Sequence, residues 1–158
     1  MSDTALTIDA KLLLERESWR RNGQRVVFTN GCFDLLHAGH LSLLEKARAL
    51  GDVLIVAINS DASVAKLKGS GRPLVPERER AELLLAMEPV DRVIVFPEET
   101  PSAAVSALVP DVLVKGADWG ADAIVGSDTV EAAGGRVVRI EIVPGRSTSA
   151  ILERIRRS

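Results

Sequence analysis

Short, almost wholly apolar runs alternate along the chain with longer stretches in which apolar residues recur every three or four positions. The apolar runs fall at 25–28, 52–58, 90–96, 112–114 and 137–143. Each is rich in β-branched residues and of strand length. The run 52–58, DVLIVAI, has no polar position after its first residue. That is the pattern of a strand buried on both faces in the middle of a parallel sheet. The periodic stretches predict helices over 9–21, 41–50, 76–87, 101–108, 127–133 and 147–157. In the first, Leu12, Leu13 and Trp19 are the candidate apolar contacts. Gly51 suits a helix stop, Pro76 a helix start, and Gly134-Gly135 another stop. The polar stretch 60–71 reads as a loop, or as a short helix followed by a loop.

About five strands alternating with helices argue for an α/β fold. The expected form is a Rossmann-like three-layer α/β/α arrangement around a five-stranded parallel sheet. One domain spans 1–158, with residues 1–24 forming a helical segment before the first strand. No repeat, low-complexity tract or linker interrupts it. In such folds ligands bind beyond the carboxyl ends of the strands, where the strand order reverses. The stretches 29–40, 59–72, 115–120 and 144–149 follow strands and are expected to converge on one crevice.

Composition narrows the classes. The 158 residues are 46% hydrophobic and 27% charged, with a formal net charge of -2. There is no basic bias of the kind a general nucleic-acid binder shows. Aromatics are only 3%, so the core must be aliphatic. One cysteine cannot form an internal disulfide, and the N-terminus lacks a basic start followed by an apolar block. No apolar run approaches the ~18 residues of a membrane span. A cytoplasmic protein without a membrane or nucleic-acid partner is expected.

Chemistry concentrates in 28–44, FTNGCFDLLHAGHLSLL, which holds both histidines, His37 and His40, and the one cysteine, Cys32. Gly31 permits a sharp turn and a close backbone approach by a ligand. The histidines are three apart near a helix start and so lie on one side. The free N–H groups of a helix N-terminus attract phosphate. Gly39 leaves room for a phosphate or a base. Other roles compete on spacing alone. The pair could ligate a metal with Cys32 and nearby carboxylates, although a structural zinc site needs four ligands. It could also be a surface or cap feature. Cys32 fits a small buried residue better than a nucleophile. Neither the P-loop nor the G-x-G-x-x-G pattern follows the first strand.

The pattern from Gly31 through Phe33, Asp34, His37 and Gly39 to His40 resembles the signature of the HxGH nucleotidyltransferase superfamily. The segments AINSDASVAKLKGSGRPL, PERERAELLLAMEPVDRVIVF, PDVLVKGADW, GSDTVEAAGGRVV and PGRSTSAIL are similar to the D-glycero-β-D-manno-heptose 1-phosphate adenylyltransferase family. In that family the domain is often fused behind a sugar kinase; this chain resembles the stand-alone form. The resemblance implies transfer of AMP from ATP to a sugar 1-phosphate, with release of pyrophosphate. It implies catalytic roles for His37, His40, Lys68 and Arg146. It implies nucleotide contacts from Thr29, Asn30, Gly31, Cys32, Phe33, Gly39, Arg80, Gly116, Ser147, Thr148 and Ser149. Asp34, Asn59, Asp61, Lys115, Asp118 and Trp119 are the candidates for the sugar phosphate.

Each candidate also has an ordinary reading. Lys68, like Lys66 and Arg72, could be a solvated cation in a glycine-bearing loop, and Arg80 part of a solvated helix face. Asn59 and Asp61 could form a plain turn, Asp34 could orient its loop, and Trp119 could simply pack. Ser147, Thr148 and Ser149 open a helix, where one hydroxyl is a normal cap. Ala117 stands where related glycerol 3-phosphate enzymes tend to carry an acid, which weighs against a CTP-dependent reaction. A regulatory module that has lost catalysis is the third reading, set against intact His37, His40, Lys68 and Arg146. Mg²⁺ is the expected cofactor, carried mainly by the ATP phosphates, with no metal site built by the protein. A homodimer or higher homo-oligomer is expected, with a separate sugar kinase and phosphatase upstream.

Overall fold

The computed structural model describes residues 7–116 and 124–158. Five strands, β1 (Val26–Gly31), β2 (Val53–Asn59), β3 (Arg92–Phe96), β4 (Val112–Gly116) and β5 (Arg136–Ile140), form one sheet in the order β3-β2-β1-β4-β5. Every pairing is parallel. Helices α1 (Ala10–Arg21), α2 (Ala38–Arg48), α3 (Asp61–Lys68), α4 (Glu77–Leu85), α5 (Ser102–Leu108), α6 (Ser127–Ala132) and α7 (Thr148–Arg157) lie between and after the strands. The fold is therefore the expected Rossmann-like α/β class, and 60–71 resolves into a short helix followed by a loop.

Period-two alternation in the strands builds two cores. Val26 and Phe28 of β1 with Val53, Ile55 and Ala57 of β2 face α1, α5 and α6. Val27 with Leu54, Val56 and Ile58 faces α2 and α4 on the other side. Every residue of β2 is buried, as its unbroken apolar run requires. The edge strand β5 is shorter than the sequence suggests: Glu141 and Ile142 are already exposed before Pro144, which has no N–H to donate.

On α1 the buried stripe is Leu12 and Arg16, one turn apart, while Leu13 turns out to be 39% exposed. Trp19 packs against the core edge as expected. Arg16 is buried because its guanidinium donates to the carbonyls of Leu108 and Val109 and to Asp111, whose carboxylate also accepts from the N–H of Val26. This clamp ties α1 to the amino ends of β1 and β4.

The strand order sets the site. The chain runs outward from β1 through β2 to β3, then returns to place β4 on the other flank of β1. The order reverses between β1 and β4, so the crevice opens beyond Gly31 and Gly116.

Candidate active site

The turn after β1 is strained and strongly tied. Phe33 and Leu35 both adopt the left-handed backbone region, at φ 50° and 51°. Such non-glycine conformations cost about 1–3 kcal/mol each and persist only when neighbours impose them. Asp34, between the two, does so. Its carboxylate accepts from Arg72 Nε at 2.9 Å and from the N–H groups of Leu74 and Val75 at 2.8 and 3.0 Å. Its carbonyl accepts from Thr148 Oγ1 at 2.6 Å. Burial opposes ionisation of this carboxyl, but the hydrogen bonds from Leu74, Arg72 and Val75 and the Arg72 charge outweigh it and hold it below the ordinary carboxylate range. Asp34 thus faces the 72–75 loop instead of the open crevice.

Helix α2 begins three residues earlier than its apolar pattern suggests, because a histidine caps it. His37 is the N-cap: its Nδ1 accepts from the N–H of Gly39 at 3.0 Å, while Nδ1 of His40 accepts from the N–H of His37 at 3.2 Å. This is a capping box made of two imidazoles. The rings stack with centroids 3.8 Å apart. Phe33 lies tilted against His40, with ring centroids 5.2 Å apart. Since Nδ1 is the acceptor in both rings, the neutral tautomer of each carries its hydrogen on Nε2. Both stay neutral below the usual histidine pKa. Burial and the neighbouring His37 push His40 down to about 4, against the pull of Asp34. Burial and the Arg146 charge lower His37. The pair therefore offers two neutral N–H donors beside a helix N-terminus.

Gly39 is required by that packing. A Cβ there would lie 2.8 and 2.9 Å from the His37 ring and 3.0 Å from the Arg146 carbonyl. The room expected for a ligand at Gly39 is filled by these two residues. The same contact brings the start of α7 against α2. Ser147 caps α7 by accepting from the N–H of Ala150, and a cavity of about 180 Å³ opens between the two helix starts. His37, Ala38, Arg146, Ser147 and Ala150 line it. Two helix N-termini thus share one cavity, as expected for the stretches after β1 and β5.

Arg80 sits behind the crevice wall. It is 1% exposed and all three guanidinium nitrogens are engaged: by the carbonyls of Val75, Cys32 and Asn59 and by Asp61. It stitches the carboxyl ends of β1 and β2 together instead of presenting a free cation. Asp61 also accepts from the N–H of Glu77 and so caps α4. Asn59 is buried, donating to Ser63 Oγ and accepting from Cys32 Sγ. Burial raises the Cys32 thiol pKa, and the charges of Lys68, Arg80 and Arg72 only partly offset this, so Cys32 stays a thiol. Thr29 is buried with its hydroxyl on the Val114 carbonyl, which leaves only its backbone near the crevice.

Other candidates lie at the ends of elements. Lys68 ends α3, exposed, just before Gly69 in a left-handed conformation. Lys115 is nearly buried at the end of β4 and reaches the Asn30 carbonyl at 3.4 Å. The side-chain oxygen of Asn30 is a buried acceptor that no group among the described residues satisfies. Gly116 is the last residue of β4, and Ser149 lies exposed in the first turn of α7. Asp118 and Trp119 lie outside the described residues. The sequence offered a loop-orienting role for Asp34 but not its partners Leu74 and Val75, and it missed Arg16. The signal for the hub is faint: one acid inside a strained turn.

A parallel α/β sheet with a histidine-capped helix at its switch point and a second helix start facing it defines a nucleotidyltransferase-type site. The chain belongs to the cytidylyltransferase-like family, which matches residues 28–154. It is 52% identical over 161 residues to the bifunctional protein HldE of Syntrophotalea carbinolica, covering 98% of this chain and 33% of the relative. It is 49% identical over 154 residues to that of Methylobacillus flagellatus, covering 98% of this chain and 31% of the relative. The chain thus spans about a third of these relatives. A lipopolysaccharide core biosynthesis protein from Thermoplasma volcanium superposes with a TM-score of 0.63 at 30% identity, over 77% of this chain and 98% of that one.

Proposed function

We propose that this nucleotidyltransferase moves AMP from ATP to D-glycero-β-D-manno-heptose 1-phosphate, forming ADP-heptose and pyrophosphate for lipopolysaccharide core or surface-glycan assembly. The observation that carries the reading is the pair of helix N-termini around one cavity, with His37 in its lining and His40 stacked on that ring. Likeness to a lipopolysaccharide core biosynthesis protein supports the product class. The 57–74, 76–96 and 110–119 segments resemble the heptose enzymes.

The chemistry suits these groups. An anionic phosphate oxygen of the sugar phosphate attacks the α-phosphorus, the bond from that phosphorus to the bridging oxygen breaks, and pyrophosphate leaves. The nucleophile is already ionised, so no general base is required. Catalysis then rests on positioning and on donors aimed where negative charge grows. Neutral His37 and His40 supply such donors without giving up a proton. Lys68, at the mouth, closes onto the phosphates, and Arg146 meets the leaving group. Lys115, with Asp118 and Trp119 beyond it, receives the sugar phosphate.

Mg²⁺, when bound, screens the triphosphate. The Asp34 carboxylate is fully engaged by the 72–75 loop and Asp61 already holds Arg80 and Glu77, so the ion would rest mainly on phosphate oxygens. On this reading a sugar kinase and a phosphatase act upstream, and the protein works as a homo-oligomer in the cytoplasm.

The test is pyrophosphate release with Mg²⁺, crossing ATP and CTP against heptose 1-phosphate, glycerol 3-phosphate and phosphopantetheine. Release only with ATP and heptose 1-phosphate, abolished in folded His40→Ala, is expected. Turnover with CTP and an alcohol phosphate would keep the mechanism and overturn the substrate. ATP binding without turnover in any pair would point to a regulatory module.

A further inference from the structure

Arg154 belongs to the same cavity as Arg146, yet no motif drew attention to it. Ser147, Ala150 and Arg154 fall on one stripe of α7, spaced three and four residues apart. Side chains of a helix lean toward its N-terminus, so the arginine one turn below Ala150 extends up toward the helix start. Arg154 lines the cavity with Arg146, His37 and Ser147.

The charges there are unbalanced. Among the described residues, no acid lines the cavity. The nearest acid along the helix, Glu153, pairs with Arg157 instead. Two guanidinium groups and the positive end of a helix dipole thus share one small space.

We propose that Arg154 is a binding residue for the terminal phosphates of the nucleotide and, after transfer, for pyrophosphate, acting with Arg146 and the N-terminus of α7. The proposal rests on the nucleotidyl-transfer reading. It assigns α2 and its histidines to the reacting phosphate and α7 with both arginines to the leaving group. Planar guanidinium forks suit this task, since each can donate two hydrogen bonds to a phosphate.

The experiment is calorimetric titration of the full chain with pyrophosphate, ATP and AMP, each with Mg²⁺, for wild type, Arg154→Gln and Arg154→Lys. Arg154→Gln should weaken pyrophosphate and ATP about tenfold, or about 1.4 kcal/mol, and leave AMP unchanged. Arg154→Lys should recover part of the loss. The residue is exposed, so the melting temperature should not move. Wild-type affinity for pyrophosphate in Arg154→Gln would overturn the proposal. So would an equal loss for AMP, which would mark a general distortion. A wild type that binds none of the three would instead overturn the nucleotidyl-transfer reading itself.

Discussion

Removing the Asp34 carboxylate tests whether the first turn of the site is held from outside the crevice. In Asp34→Ala the N–H groups of Leu74 and Val75 and Arg72 Nε lose their acceptor together. The Asp34 side chain is 1% exposed, so water does not reach the two amides without movement. Arg72 is more exposed and can turn outward. Two buried unsatisfied amides at about 1–3 kcal/mol each give an expected loss of about 2–6 kcal/mol. For a chain of this size, about 4 kcal/mol lowers the melting temperature by roughly 8–16 °C. Asp34→Asn keeps one acceptor but points an NH₂ at a donor, so it should lose about half as much. Urea unfolding read by circular dichroism supplies the numbers, and ATP titration should show weaker binding as the strained turn relaxes. There is also a pH signature. The folded carboxyl titrates below its unfolded value, so its contribution is full above about pH 4 and is lost as pH falls through the folded pKa. Asp34→Asn should lack that acid limb. A loss below about 1 kcal/mol in Asp34→Ala, with unchanged ATP affinity, would refute the reasoning.

Two further outcomes follow from the histidine cap. In Gly39→Ala the added methyl displaces the His37 ring or the start of α7, so kcat/KM should fall at least a hundredfold. Stability should change little, because alanine's helix preference of about 1 kcal/mol offsets a lost cap of similar size; a variant with normal kcat/KM in steady-state assays would show that this contact does not position the site. The pH profile of kcat should not fall as pH rises through 6.5, where an imidazolium mechanism would lose activity, and should fall toward about pH 4 as His40 protonates. Stability follows the same sign: unfolded histidine takes its proton near 6.5, so the fold weakens from there down to about 4.

Much of the architecture was legible because strand and helix signals agree with their surroundings. The unbroken apolar run in β2 could only be a central strand, and glycines and prolines marked the element ends. Departures came where side chains act out of type. Histidine is not an ordinary helix cap, so the start of α2 was placed late; here Nδ1 does the work of a serine hydroxyl. Arg16 and Arg80 occupy positions that charge patterning assigns to solvent, yet both are buried by carbonyls from distant segments. Their carbonyl partners lie 5 to 93 residues away in the chain, and all but Val75 are beyond any local pattern. Convergence after β1, β2 and β5 was foreseeable from the strand-end rule, but the partners of Asp34 were not, since two are backbone N–H groups and the others, Arg72 and Thr148, lie 38 and 114 residues away.

Helix α7 has no buried residue among its ten, despite a strongly one-sided apolar pattern. Its attachment to the rest of the chain is concentrated at one end, through Thr148 on Asp34 and the Arg146 carbonyl beside Gly39. A segment held so lightly opens at a free energy well below that of the sheet. A polyphosphate gripped from both α2 and α7 would act as a removable staple across that joint. Occupancy would then be recorded in α7: amide exchange over 148–157 should slow as the ligand concentration rises above its Kd.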